Sequence, residues 1–181
     1  MKLRTIAGCL VAAMAPVTAS AQLVINELMQ SNVECIMDDL NEFPDSWVEL
    51  YNIGSSAVNL SEYSIGVKSS ASKAYRLPAR SVAPGAHALI YCDKAEQGLH
   101  TSFRLESGKD GAVYLFRSGE IVDKVEGMKK MPSPDIAYGR ETDGSAEWGY
   151  QHTPTPGKSN CGKLVKSVLG DPEFSEPGRV S

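Results

Sequence analysis

The sequence predicts an all-β fold, an antiparallel β-sandwich, and three observations carry that prediction. Short runs rich in β-branched and aromatic residues recur from Leu23 to Tyr150. Gly, Pro, Asn, Asp and Ser separate them at short intervals, as strand-and-turn chains require. Between those turns no stretch keeps the 3.6-residue apolar period of an amphipathic helix.

The run at 46–52 (Ser-Trp-Val-Glu-Leu-Tyr-Asn) is the expected centre of the fold. Side chains two apart share one face of a strand, so Trp47, Glu49 and Tyr51 face one way and Val48 and Leu50 the other. Large apolar groups on both faces suit a central strand, and Glu49 between two aromatics then needs a partner. A first strand is expected over 23–29, and an acidic loop at 37–45 leads from it to the Trp47 strand. Further strands are expected over 58–67, 74–77 and 87–92, with a brief one at 102–105. Residues 112–117 form a continuous apolar run, and 120–125 alternate. Ser118-Gly119 between them is a two-residue turn, so the pair reads as a β-hairpin. Residues 136–140 and 147–150 are expected as edge strands. Thr153-Pro154-Thr155-Pro156-Gly157 then closes the globular part, since prolines cannot continue a central strand.

The first 21 residues read as a leader. Lys2 and Arg4 form a basic start, 6–17 are apolar and small, and Ala19-Ser20-Ala21 supplies a small-residue cleavage pattern, so the expected mature chain begins at Gln22. The apolar run is too short to span a membrane. Ile6-Ala7-Gly8-Cys9 resembles a lipoprotein box, but the apolar segment lies mostly after it, and ordinary export is the expectation. The leader holds two basic and no acidic residues, which leaves 16 basic against 22 acidic side chains, a formal charge of −6. That balance argues against a nonspecific nucleic-acid binder, because such affinity comes from clustered Lys and Arg. Residues 22–161 are expected as one domain, large enough to bury a core without disulfides. Residues 162–181 read as a linker. Past Cys9, Cys35, Cys92 and Cys161 remain, an odd number for an exported chain; Cys35 with Cys161 is one conceivable pair, and Cys92 in an apolar run reads as a small buried hydrophobe. No Cys-x-x-Cys pair supports a thiolate zinc site.

The order of motifs resembles one family. Ile25-Asn26-Glu27, the acidic loop and Trp47-Val48-Glu49-Leu50-Tyr51-Asn52 are similar to the opening of the lamin-tail domain. Val58-Asn59-Leu60-Ser61-Glu62-Tyr63 resembles its "valine-x-leucine-serine-x-tyrosine" strand. Leu77-Pro78 and Val82-Ala83-Pro84-Gly85 resemble its turns, Phe103-Arg104-Leu105 its short middle strand, and Gly119 to Val125 its later hairpin arm. Tyr138-Gly139-Arg140 and Trp148 precede Thr155-Pro156-Gly157-Lys158-Ser159-Asn160, which is similar to its closing motif. The resemblance covers 23–160. It implies an immunoglobulin-like sandwich that serves exported bacterial proteins as an accessory module without a catalytic set. The function it implies is binding or protein interaction at the envelope, with an unknown protein or glycan as partner. Residues 171–178 look like the opening strand of a second β-sandwich module. A leading segment of a larger enzyme, spore-coat-kinase-like or acting on phosphoesters, is therefore the alternative.

The candidate chemistry is sparse. His87, His100 and His152 are scattered and no Gly-x-Ser-x-Gly elbow exists, so a serine triad has no support. Ser70-Ala71-Ser72-Lys73 lacks the companion motifs of a Ser-x-x-Lys enzyme, and Gly157-Lys158-Ser159 reads as a turn instead of a phosphate loop. Glu27 and Glu49 fall on neighbouring strands and could act as an acid–base or metal-holding pair; the plainer reading is that each accepts hydrogen bonds from backbone or Arg. The acidic loop offers Asp38, Asp39, Asn41 and Asp45 as oxygen ligands for Ca2+, a hard cation that tolerates flexible loops. A Ca2+-stabilised structural domain is accordingly a further alternative, and no other cofactor is expected. Lys68, Lys73, Arg76 and Arg80, with Tyr63 and Tyr75 nearby, are the candidate ligand-binding group for an anionic glycan or a nucleic-acid strand; a solvated basic face is the plain reading.

Overall fold

The structure, a computed structural model, describes residues 22–106 and 111–166. The expected leader with Cys9, and 167–181 of the expected linker, lie outside the described residues. Eleven strands occur among the described residues: β1 (Leu23–Met29), β2 (Trp47–Asn52), β3 (Val58–Asn59), β4 (Tyr63–Gly66), β5 (Tyr75–Arg76), β6 (Ser81–Val82), β7 (His87–Tyr91), β8 (Gly111–Arg117), β9 (Glu120–Met128), β10 (Ala137–Arg140) and β11 (Trp148–Gln151). Five form one sheet in the order β11-β10-β1-β2-β7, four form the other in the order β5-β4-β8-β9, and β3 with β6 makes a short ribbon. All these strand pairings are antiparallel.

Alternation explains the layers. Val48 and Leu50 of β2 join Leu23, Ile25, Ile65, Ile90 and Leu115 in the core between the sheets. Trp47 points to the other face, where it meets Met29 and Ala137 under Cys35 and Ile36. The five-stranded sheet is therefore covered on both sides at its centre, and all seven residues of β1 are buried. In the β8–β9 hairpin Ser118 (φ +53°) and Gly119 (φ +86°) are both left-handed, the turn whose twist matches the strands it joins.

Three local expectations are corrected. The run 58–67 is not one strand: a 3-10 turn, Leu60–Glu62, separates β3 from β4, with the Asn59 side chain accepting the Ser61 N–H at 3.1 Å. That local bond competes with strand pairing and sends β3 to β6 while β4 joins β8. Residues 102–105 make only a single bridge, Arg104 to Asp93. β10 is interior, between β1 and β11. Gly139 permits that position, because a Cβ there would lie 2.7 Å from Gln151 Nε2 and 3.1 Å from Glu27 Cγ. Beyond β11 the chain turns back, and Val165 exchanges two backbone bonds with Tyr150 at 2.9 Å.

A bulge in β1 between Ile25 and Glu27 interrupts the ladder with β2, and two side chains bond the backbone beside it. Asp123 of β9 accepts the Ile25 N–H at 2.8 Å, and Arg140 Nε donates to the Ile25 carbonyl at 2.8 Å. Arg140 and Asp123 also pair at 3.0 Å, with side chains 11% and 17% exposed. The pair thus ties one sheet to the other at the irregular point of β1. Removing one member of a buried pair strands its partner. Arg140→Ala is expected to cost about 3 kcal/mol in urea unfolding, and Arg140→Lys to recover little, since one ammonium cannot serve both acceptors in the guanidinium's planar geometry. Equal stability of Arg140→Ala and wild type would remove this account.

Candidate functional site

The loop between β1 and β2 is long, acidic and tightly held. Asn32 brackets it: its Nδ2 donates to the carbonyls of Ile36 (3.0 Å) and Pro44 (2.9 Å), and its Oδ1 accepts the Ile36 N–H at 3.0 Å. Asp135, from the segment before β10, accepts the N–H groups of Val33 at 2.8 Å and of Cys35 at 3.3 Å. Asp38 Oδ1 accepts from Leu40 N (2.8 Å) and Glu42 N (2.9 Å), an Asx turn that suits an aspartate at a chain reversal.

A buried imidazole fastens the far side of this loop. His100 is 2% exposed. Its Nδ1 lies 2.5 Å from Asp93 Oδ2, its Nε2 lies 2.9 Å from Asp39 Oδ1, and its ring leans on Tyr91 with centroids 4.9 Å apart. Two carboxylates on opposite nitrogens favour the imidazolium, in which both nitrogens donate. Burial pulls the His100 pKa down, but the bonds and charges of Asp39 and Asp93 more than reverse this and the net shift is upward. Asp39 is held below the usual carboxylate range, chiefly by its bond to His100.

The predicted ligand sets separate. Asp38, Asp93 and His100 each bring a ligand atom within 4.8 Å of the others, so Asp38 does face a group that could take a cation. Both nitrogens of that imidazole already meet carboxylates, however, and a metal would have to displace a proton there. Asp39 turns to His100, Asn41 sits exposed at φ +61°, and Asp45 pairs with Arg104 at 2.7 Å. Of the basic group, Lys68 lines a cleft of about 720 Å³ with Asp45, Phe103 and Arg104, whereas Arg76 lines another with Tyr63 and Arg117. Lys73 ends the 3-10 turn Ala71–Lys73, and Arg80 is close enough to Asp39 to favour its ionised form. The described cysteines are all free, and Cys92 is fully buried, which pushes its thiol up to about 12.

Glu27 and Glu49 stand opposite each other in register on β1 and β2, both fully buried. Burial raises Glu27 to about 7 and Glu49 to about 8. Glu27 accepts from the Thr155 N–H at 3.1 Å and the Thr155 hydroxyl at 2.9 Å; Glu49 accepts from the Gly157 N–H at 2.6 Å and from Asn26 Nδ2 at 3.0 Å. The acids therefore hold the Thr-Pro-Gly segment down on the sheet, and both partners in that segment include backbone amides.

Sequence reasoning left His87 and His100 without partners. Asp39 lies 61 residues from His100 and Asp143 lies on a distant turn from His87, so no local spacing announces either contact. The one local signal is Asp93, seven residues before His100 in a run where Leu99 and Thr101 are also buried.

The raised pKa of His100 makes the loop brace pH-sensitive. A histidine whose folded pKa exceeds its unfolded value stabilises fully below about 6.5, and that contribution is lost as pH rises through the folded value. The thermal midpoint of wild type should therefore exceed that of His100→Gln at pH 6, and the gap should narrow by pH 9. The raised Glu27 and Glu49 also lower stability as pH rises, but they do so in both proteins, so the difference isolates His100. A gap independent of pH would exclude a charged His100.

A family model described as the Lamin Tail Domain matches residues 16–128, from before β1 to the end of β9. No curated protein and no solved structure matches the chain. The matched span covers more than half of the sequence, includes the bulged β1, the Trp47 strand and the loop between them, and the chain belongs to the lamin tail domain family.

Proposed function

We propose that this chain is a non-catalytic interaction module, exported to the bacterial envelope, that recognises a protein partner through the β1–β2 loop. One observation carries the reading. Of the seven large apolar side chains exposed among the described residues, Val33, Met37, Leu40 and Phe43 all lie on this loop, at 47–57% exposure. Glu34, Asp39, Glu42 and Asp45 are interspersed with them. Isolated exposed apolar residues need no explanation, but a concentration on one surface marks an interaction site. Asn32, Asp38, Asp135 and the His100 brace order the loop in advance, which reduces the entropy lost on binding. The complementary surface is an apolar pocket rimmed by Lys and Arg on a protein. Export rests on the leader pattern at 1–21, and the rigid sandwich bearing a recognition loop fits a family module that supplies binding instead of chemistry.

The test compares wild type with Leu40→Ser/Phe43→Ser in retaining envelope proteins at low and high salt, with a glycan panel in parallel. The double variant should keep its melting temperature, because exposed substitutions cost within about 0.5 kcal/mol each. It should lose at least tenfold of the specifically retained protein, while Arg76→Ala retains it. Equal retention by the double variant, or binding confined to glycans, would overturn the loop assignment. Intact mass of the exported protein should correspond to a start at Gln22; a lipidated Cys9 or an unprocessed chain would overturn the leader reading.

A further inference from the structure

The cleft of about 720 Å³ that Lys68 lines opens where the ends of the two sheets meet, with walls from the segments after β1, β4 and β7 and from the start of β8. Gln30, the residue after β1, lines it and is only 3% exposed. Its Oε1 accepts the Met131 N–H at 3.2 Å. A backbone N–H needs an oxygen there, so the amide cannot be turned round. The Gln30 Nε2 is left buried with no acceptor. Buried amide donors are nearly always satisfied, and an acceptor therefore belongs in front of this one.

The charge around the cleft asks for the same thing. Lys68 and Lys94 line it as exposed side chains, and among the described residues neither pairs with an acid. Arg104 also lines it, with its Nε held by Asp45 at 2.7 Å. An orphaned donor and three cations on one cleft call for a ligand with negatively charged oxygen. The rest of the lining says what else that ligand carries. The acids Asp45 and Glu106 share the cleft with the hydroxyls of Ser31 and Ser102. Acids repel a multiply charged phosphate ester but accept from hydroxyl groups. Half-buried Phe103, packed against the core, adds an apolar wall for the C–H face of a sugar ring. The volume is that of a small-molecule site.

We propose that this cleft binds an acidic saccharide, with its carboxylate on Gln30 Nε2, Lys68 and Lys94 and its hydroxyls on Asp45 and the two serines. Of the basic group expected from sequence only Lys68 takes part, because Arg76 lines a different cleft. The site uses none of the exposed apolar side chains of the β1–β2 loop and does not rest on the interaction reading above.

The experiment is a calorimetric titration of the full chain with disaccharides that carry galacturonate, glucuronate or N-acetylmuramate. The methyl ester of each and inorganic phosphate are titrated beside them. At least one acidic disaccharide should bind with one-to-one stoichiometry, more weakly as salt rises. Its ester should bind at least about tenfold more weakly, since hydrogen bonds to a charged group are the stronger kind. Gln30→Glu keeps an oxygen for Met131 and replaces the orphaned donor with a second oxygen, whereas Lys68→Ala/Lys94→Ala changes only exposed side chains. Each should lower the affinity at least about tenfold, and the lysine variant stays informative if Gln30→Glu fails to fold. Arg76→Ala and Leu40→Ser/Phe43→Ser should leave the affinity unchanged. Absence of binding by all the acidic disaccharides, or equal binding of acid and ester, would overturn the proposal. So would inorganic phosphate binding as tightly as the disaccharide, an affinity untouched by the lysine variant, or one lost in Arg76→Ala.

Discussion

Two carboxylates facing each other at zero exposure dominate this domain. Glu27 and Glu49 sit opposite one another on the two most buried strands of the larger sheet. Burying such groups is costly unless hydrogen bonds compensate. The compensation comes from a segment more than a hundred residues away, where Thr155 and Gly157 turn their N–H groups onto the acids. Gly157 adopts φ +75° there, a conformation a glycine adopts without strain. The Thr-Pro-Gly closure thus supplies the hydrogen bonds that the buried acids of β1 and β2 need, and it covers the face of the sheet that lies outside the main core.

The same strand carries the second constraint. A bulge in β1 interrupts its ladder with β2, and Asp123 and Arg140 bond the Ile25 N–H and C=O. Both reach across from other strands, one of them in the opposite sheet. The irregularity therefore becomes an inter-sheet connection. β1 is tied down by side chains on both faces and at its bulge, and it anchors the loop that follows it.

Rigidity at the base lets the loop expose what a core would normally hide. Val33, Met37, Leu40 and Phe43 remain in solvent because the polar residues between them are spent inwards: Asn32 and Asp38 on the loop's own backbone, Asp39 on His100 and Asp45 on Arg104. Electrostatics and exposed apolar area are in this way divided between holding the loop and presenting it. The two histidine clusters, at opposite ends of β7, differ in kind. His100 meets a carboxylate on each nitrogen, while His87 meets Asp143 through its Nε2 at 3.2 Å.

Much of the fold was legible in the chain. Alternation in Trp47–Asn52 put Val48 and Leu50 on one face and Trp47 on the other, because strand period alone decides which side chains share a face. Ser118-Gly119 marked its hairpin because left-handed turn residues are a local property of the backbone. Where local chemistry competed, the pattern misled: Asn59 bonded its own backbone and split one run into two strands, and a short segment with Gly139 turned out interior because the Glu27 face needed a neighbour without a side chain. The acidic loop was recognisable by composition, but not what its acids do. By itself, then, the sequence determined the β class, the family motifs and the strand faces, all consequences of spacing within a few residues. Only the tertiary structure decided that Asp39 meets His100, that Asp143 meets His87 and that Glu27 and Glu49 share one buried site. Those contacts join residues brought together by sheet order, and charge interactions depend on distance in space, to which separation along the chain is no guide.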